Sequence, residues 1–341
     1  MRAVAFKQHG DIEVLEEMEL PKPAVDEDEV LVAVKACALN HLDLWIRKGL
    51  PGPIPMPHIL GCEITGVVAE KGKRVTRFKE GERVMIAPGQ SCRHCEWCLR
   101  GDDPCCAEYR VMGYQSQGGY AEYAKAKHWD VIAIGEGWSL AEWAAVPLVF
   151  QTAWHMLFDR ARLRPGDDVL IHAAGSGVGS AAIQIAKYAG ARVFTTASRD
   201  EKLEHARGLG ADFTINYKTA DFADAVLEAT GGRGVDIVVE HIGQDVWKGS
   251  LKCLAKNGRL VTCGATSGPV VSLDLRFLFM KQHTVMGSYM GSRSDLLEAL
   301  KLVERRELRP VVDKVFPLGQ AREAQRRMAE REQFGKLVLE P

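Results

Sequence analysis

No stretch of this chain stays apolar for the roughly 20 residues that a membrane-spanning helix needs. The opening Met1–Lys7 also lacks the apolar core of a secretion signal, so a cytoplasmic protein with no membrane partner is expected. Charge of one sign is missing as well. The formal net charge is -1, which removes the electrostatic reason to expect nucleic acid or another strongly charged partner. Solenoid-type repeats are absent. So is the paired cysteine spacing of a disulfide framework: of nine cysteines, five crowd between Cys92 and Cys106 while Cys37, Cys62, Cys253 and Cys263 are scattered. Odd and locally clustered, they suggest metal binding in a reducing compartment.

What is present is a chain of 341 residues, 46% hydrophobic and 26% charged. That is the composition of a folded protein, and the length suits two domains of about 150 residues each. The first part reads as short strands and long loops, with strand-like alternation at Arg2–Lys7, Glu13–Glu19, Glu29–Ala36, Ile64–Val68, Gly118–Ala124 and Asp130–Ile134. A helical turn at His41–Lys48 precedes a Gly/Pro-rich loop, Leu50–Pro57. From Asp168 the pattern changes. Strands at Asp168–His172, Arg192–Thr196, Phe213–Asn216, Val235–Val239, Arg259–Cys263 and Thr284–Gly287 alternate with helices at Val178–Ala189, Glu201–Leu209, Thr219–Thr230 and Val246–Leu254. Six strands in such alternation describe an α/β doubly wound parallel sheet. Leu275–Met280 reads as a loop. A last helix near Gln320–Glu332 and a strand at Lys336–Leu339 are expected to return to the first domain. The expected division is 1–149 with 287–341 for one domain and 150–286 for the other.

Cys92, Cys95, Cys98 and Cys106 form the most specific signal. Two-residue gaps let a tight loop bring thiolates to the 2.3 Å or so that tetrahedral zinc requires, and Arg93 and Arg100 offset the gathered negative charge. Four thiolates leave no open position, so such a zinc, within a lobe at about 89–108, is structural. Cys105 competes with Cys106 for the fourth place. The second signal is Gly175-Ser176-Gly177-Val178-Gly179, which joins a strand to a helix. Its glycines allow a close backbone approach to a dinucleotide pyrophosphate at the helix start. At the end of the next strand an NAD site usually has an acid for the ribose 2′-hydroxyl; here Ala197 is followed by Ser198 and Arg199, which suits a 2′-phosphate. NADP(H) is therefore favoured over NAD(H), with Asp200 and Glu201 as the alternative.

Together these residues resemble the medium-chain dehydrogenase/reductase superfamily, which includes zinc alcohol dehydrogenases and quinone oxidoreductases. The resemblance runs through Gly61-Cys-Glu-Ile-Thr-Gly66, the cysteine lobe, the glycine turn, Gly243, and Gly264-Ala-Thr-Ser-Gly268. It implies a GroES-like irregular β domain beside the coenzyme domain, a small-molecule substrate, a homodimer or homotetramer, and Tyr217 near the 2′-phosphate. It also exposes departures. Where the alcohol dehydrogenases hold a catalytic zinc through Cys, His and a later Cys or acid, this chain has Asn40, Cys62 and Leu148. A metal site needs three protein ligands and an open position; Cys62 and Glu63 supply two, with Cys37 in reserve. Asn40 and Asp43 resemble the zinc-free quinone oxidoreductases instead.

The expected function is therefore reduction of quinones, enones or related conjugated carbonyls. Asn40 or a backbone amide would polarise the acceptor, Asp43 orient the loop, Cys62 and Glu63 line the pocket, and Thr152 approach the nicotinamide. A zinc alcohol dehydrogenase is the first alternative and a non-catalytic nucleotide- or RNA-binding protein the second. Each of these residues also has a purely structural use: Asn40 and Asp43 as turn or cap residues, Cys62 as a small hydrophobe.

Overall fold

The computed structural model describes residues 1–341. The chain divides into two compact units: Met1–Leu148 with Ser292–Glu304 and Arg309–Pro341, and Val149–Gly291 with Arg305–Leu308.

The first unit is built around Glu29–Ala38, a strand buried along almost its whole length. It pairs antiparallel with Glu63–Lys71, with Tyr123–Lys127 and with the C-terminal strand Lys336–Glu340. That last pairing, Val338 opposite Ala38 and Leu339 opposite Cys37, is what carries the end of the chain back to its beginning. The register with Glu63–Lys71 shifts between Val34 and Ala36. Gly66 lies at this irregularity, where a Cβ would come within 2.1 Å of the Ala33 carbonyl oxygen, so the close backbone approach requires glycine. The side chains of Val30, Val32, Ile64, Val84, Tyr120 and Leu339 fill one core.

In the second unit six strands run parallel in the spatial order Phe213–Asn216, Arg192–Ala197, Asp168–Ile171, Val235–Glu240, Leu254–Thr262, Thr284–Gly287. Val169, Leu170 and Ile171 are all fully buried, as expected of a parallel strand covered on both faces. The order reverses between Asp168–Ile171 and Val235–Glu240, which creates a crevice at the carboxyl ends of those two strands. The α/β class with an irregular β unit and a doubly wound parallel sheet is thus the observed architecture.

Several elements differ in extent from the sequence expectation. Leu275–Met280 is a helix, not a loop; the Asp274 carboxylate caps it by accepting from the Arg276 amide at 3.0 Å. The helix expected from Thr219 starts at Phe222, because Asp221 accepts from the amides of Ala223 and Asp224 and fixes the first turn there. Gly118, Gly119 and Tyr120 do not open a strand at 118. Their amides bond to the carbonyls of Ile59, Gly61 and Leu60, and the strand begins only at Tyr123. A 3-10 turn at Ile12–Val14 takes the front of the expected Glu13–Glu19 strand.

Candidate active site and coenzyme turn

Asn40 ends the turn after the central strand and stands just before the helix His41–Lys48. Asp43 reaches back and accepts from the Asn40 backbone amide at 2.8 Å. The Asn40 side chain is turned away from the helix and into a polar cluster. Its Nδ2 donates to Glu63 Oε2 at 3.0 Å and to Cys62 Sγ at 3.4 Å. Its Oδ1 accepts from Lys336 Nζ at 2.6 Å. The same ammonium lies 2.6 Å from Glu63 Oε2 and donates to the Leu39 carbonyl at 2.5 Å. Three protons thus meet three acceptors. The other Glu63 oxygen accepts from the Leu148 amide at 2.7 Å. Glu63 is fully buried and Lys336 nearly so, which is tolerable only because each charge has its partner.

Asn40, Asp43, Cys62 and Glu63 therefore lie together in the first unit. Thr152 lies in the second, buried in the helix Pro147–Trp154, and its hydroxyl makes no hydrogen bond. Lys336 was missed by sequence reasoning; the available signal was a lone lysine opening an otherwise apolar strand, which calls for a buried acid. Tyr120 was missed too. Fully buried, it donates to Asp43 Oδ2 at 2.9 Å. Burial raises the thiols of Cys62 and Cys37 well above their ordinary range, so both are neutral. A Cβ on Gly61 would come within 2.5 Å of Cys37 Sγ and the Tyr120 ring, so Cys37 packs there as a small apolar filler. Neither thiol, nor Glu63, belongs to any of the three clusters in which ligating atoms approach within 4.8 Å of one another.

One of those clusters is Cys92, Cys95, Cys98 and Cys106. Cys98 Sγ lies 3.9 Å from Cys92 Sγ and 3.6 Å from Cys95 Sγ. Tetrahedral zinc with bonds of 2.3 Å sets its sulfurs about 3.8 Å apart, so these thiols fit the ion. The Cys95 amide donates to Cys92 Sγ at 3.3 Å. Hydrogen bonding, first from the His94 backbone, lowers the Cys92 thiol to about 6, whereas burial raises that of Cys98 to about 12. Cys105 points outward and is exposed, whereas Cys106 is buried, which decides the fourth place between them.

The glycine turn follows the Asp168–Ile171 strand. Ser176 caps the helix Gly177–Tyr188, its Oγ accepting from the Gly179 amide at 2.9 Å. A Cβ on Gly179 would lie 2.2 Å from the Ala173 carbonyl oxygen, so glycine lets helix and strand approach closely. Gly175, Gly177 and Val178 complete this turn. Ser198 and Arg199 form the short connection between Arg192–Ala197 and the helix Asp200–Gly208, with Arg199 exposed. Exposed Tyr217 is brought beside them, its amide donating to the Ala197 carbonyl at 3.1 Å. Asp200 accepts from Asn216 Nδ2 at 2.8 Å, so this acid is already engaged. Gly243 has φ +94 and lies against Gly268; Gly264 lies against the His241 carbonyl. Two further groups escaped notice in the sequence. Glu240 accepts from the amides of Ile242 and Gly243 and from Thr262 Oγ1, and His241 Nε2 lies 3.1 Å from Ser176 Oγ.

Family models match both parts of the chain. A family model described as "Alcohol dehydrogenase GroES-like domain" matches residues 26–136, and one described as "Zinc-binding dehydrogenase" matches residues 177–305. The chain is 32% identical to a quinone oxidoreductase of Pseudomonas aeruginosa, covering 100% of this chain and 99% of that protein. It is 34% identical to a 2-haloacrylate reductase of a Burkholderia species, covering 100% and 99%. Among solved structures, one titled as an NAD-dependent alcohol dehydrogenase superposes with a TM-score of 0.97 at 46% identity, covering 100% of both chains.

Burial pushes the Asp43 carboxyl up from 3.8 to about 6, against the bonds from Asn40 and Tyr120. The folded chain therefore keeps a proton that the unfolded chain releases from about pH 4 upward. This group's contribution to stability is full below pH 4 and is lost as the pH rises through 6. Asp43→Asn is expected to flatten that part of the melting temperature against pH profile; an unchanged slope would show that Asp43 titrates at its ordinary pH.

Proposed function

The chain belongs to the medium-chain dehydrogenase/reductase superfamily and is an oxidoreductase of the zinc-type alcohol dehydrogenase and quinone oxidoreductase kind, and from that premise we propose that it reduces conjugated carbonyl compounds without a catalytic metal. The observation that carries this reading is the Lys336 ammonium bonded to both Asn40 and Glu63. A divalent ion drawn to Glu63 would meet a cation already bonded to that carboxylate. The Cys62 sulfur beside it already accepts from the Asn40 amide at 3.4 Å. Hydride addition to a simple ketone concentrates charge on one oxygen and calls for a metal or acid. Addition to a quinone or enone spreads that charge over a conjugated system.

A bound nicotinamide would supply the hydride. The residues present do the rest. The Asn40 N–H directed at Cys62 meets only a weak sulfur acceptor and can turn its hydrogen bond to a substrate carbonyl oxygen, keeping its proton, while Lys336 and Glu63 hold the amide in place. Asp43 fixes the Asn40 backbone, Cys62 and Glu63 border the acceptor, and Thr152 serves the nicotinamide. For the coenzyme, Gly175–Gly179, Gly243 and Gly264 hold the pyrophosphate and ribose. Ser198, Arg199 and Tyr217 receive the 2′-phosphate, favouring NADP(H), since Ala197 offers no carboxylate and Asp200 is bonded to Asn216.

The structure titled as an NAD-dependent alcohol dehydrogenase favours a second reading, alcohol oxidation with NAD. Steady-state rates separate the two. Quinones and enones with NADPH are expected to turn over. Asn40→Ala should lower kcat by about 100-fold, the scale of one lost oxyanion donor, and Arg199→Ala should raise the KM for NADPH about tenfold while leaving NADH unchanged. Turnover of ethanol and acetaldehyde alone, with NAD, would sink the first reading.

The four-cysteine lobe is assigned a single structural zinc. Elemental analysis of dialysed protein is expected to give one zinc per chain, and none for Cys98→Ala. Two zincs would put metal beside Cys62 and Glu63 and move the assignment to alcohol chemistry. The clustered, unpaired thiols favour a cytoplasmic location; no helix is long and apolar enough to cross a membrane.

A homo-oligomer completes the reading. Thr284–Gly287 is the edge of the parallel sheet, and beside it in sequence Leu275, Phe277, Phe279 and Met280 are exposed. An edge strand with an apolar flank pairs with a second copy of itself about a two-fold axis. Sedimentation should show a dimer or tetramer that Phe279→Glu weakens; a wild-type monomer at micromolar concentration would remove it.

A further inference from the structure

His241 directly follows the strand Val235–Glu240 and is 8% exposed. Histidine is seldom buried without a polar role, and this one spans the point where the sheet changes direction. Its Nε2 lies 3.1 Å from Ser176 Oγ, the hydroxyl that caps the helix Gly177–Tyr188. The strands ending at Ile171 and Glu240 are neighbours across which the strand order reverses. The loop after the fifth strand grips the backbone of His241: Thr266 Oγ1 donates to its carbonyl at 3.4 Å, and a Cβ on Gly264 would lie 3.0 Å from that oxygen. The loop after the fifth strand thus fixes the backbone of His241, and its imidazole meets the cap of the Gly177–Tyr188 helix.

The groups around it leave His241 as the one that can answer a new charge. His172, beside it in the sheet, is fully enclosed, bonded to Thr196 Oγ1 at 3.2 Å and to Ser250 Oγ at 2.8 Å. Burial, with a lesser push from His241, holds it neutral down to about 3. The Glu240 carboxylate is turned onto the amides of Ile242 and Gly243 and the Thr262 hydroxyl. The Cys263 thiol is pushed up to about 12, chiefly by burial, and carries no charge.

The Ser176 hydroxyl has a single proton. It accepts from the Gly179 amide and can donate that proton to His241 Nε2 while the imidazole is neutral. An anion at the helix start is a stronger acceptor than imidazole and draws that hydrogen bond to itself. His241 Nε2 then faces a hydroxyl oxygen and a negative charge, and both favour its protonated form. We propose that His241 is a coenzyme-binding residue that takes up a proton from solvent when a dinucleotide pyrophosphate settles at the start of the Gly177–Tyr188 helix, and returns it when the coenzyme leaves. This rests on the reading of the glycine turn as a dinucleotide site. Its consequence is that coenzyme affinity falls as the pH rises.

NADH is the decisive probe, because NADPH carries a 2′-phosphate that itself titrates near pH 6. Calorimetry of NADH binding to the wild-type protein in buffers of different ionisation enthalpy is expected to show net proton uptake between pH 6 and 8. Over the same range the NADH Kd should weaken threefold to tenfold per pH unit over at least one unit, the limit for one linked proton. In His241→Gln both the uptake and the slope should vanish while NADH still binds. No proton uptake in the wild type, or the same uptake in His241→Gln, overturns the proposal. The wild-type calorimetry stands whether or not the variant folds. Failure of both NADH and NADPH to bind at any pH would instead remove the dinucleotide reading, and this inference with it.

Discussion

The buried ammonium of Lys336 is the constraint on which the first unit turns. It brings the last strand, a loop residue and a strand residue to one point, satisfying the Leu39 carbonyl, Asn40 Oδ1 and Glu63 Oε2 together. Remove the charge and the Glu63 carboxylate loses its counter-ion where it has no solvent access, a situation that costs about 3–5 kcal/mol. Replace it with a metal and the Asn40 side chain loses its orientation, because an amide oxygen bonded to an ammonium fixes which end of the amide faces Cys62. The clamp therefore sets both the local fold and the direction in which the Asn40 amide points.

The pairing of the terminal strand with Glu29–Ala38 is what delivers this ammonium. Val338 and Leu339 oppose Ala38 and Cys37, so Lys336 arrives beside Leu39 and Asn40 as a consequence of register. Apolar burial of Leu337, Val338 and Leu339 offsets the cost of desolvating the lysine at the start of the same strand. Asp43 and Tyr120 support the same turn from the other side, at the cost of a carboxylate held in an apolar setting. The glycine at 61 is the geometric condition, since any side chain there would displace Tyr120 or Cys37.

What could be read from the sequence divides along the same physical line. The cysteine lobe and the glycine turn are local: their chemistry depends on spacings of two to seven residues, and a chain that keeps those spacings can form them wherever it folds. The alternation of strands and helices after Asp168 is periodic and was legible for the same reason. Lys336 acts on residues nearly 300 positions away, and no local pattern announces that meeting. Tyr120 and Asp43 are 77 positions apart and equally hidden. The helix at Leu275–Met280 looked like a loop because its side chains are mostly exposed apolar groups, so it lacks the one-sided pattern that marks an amphipathic helix. Cys105 and Cys106 could not be separated by spacing at all; only the outward direction of one and the burial of the other decide between them.

Both units hold a buried carboxylate against a cation, Glu63 with Lys336 in the first and Asp168 with Arg192 in the second, but their backbones ask different things of the remaining polar groups. In the irregular β unit, polar groups are buried as a charged pair, because loops of unlike shape leave carbonyls and amides that a mobile side chain must satisfy. In the parallel sheet the backbone is already bonded strand to strand, so its buried polar side chains at the carboxyl ends are available to serve the helix starts. Glu240 organises the Ile242–Gly243 turn, His172 joins Thr196 to Ser250, and His241 reaches Ser176. The Ile242 and Gly243 amides just ahead of the Gln244–Lys252 helix suit the Glu240 carboxylate, whereas burial is what keeps the enclosed His172 neutral. The first unit thus holds a matched pair of charges beside a carboxyl that titrates near 6, whereas the second gathers Glu240, His172 and His241 at the ends of its strands.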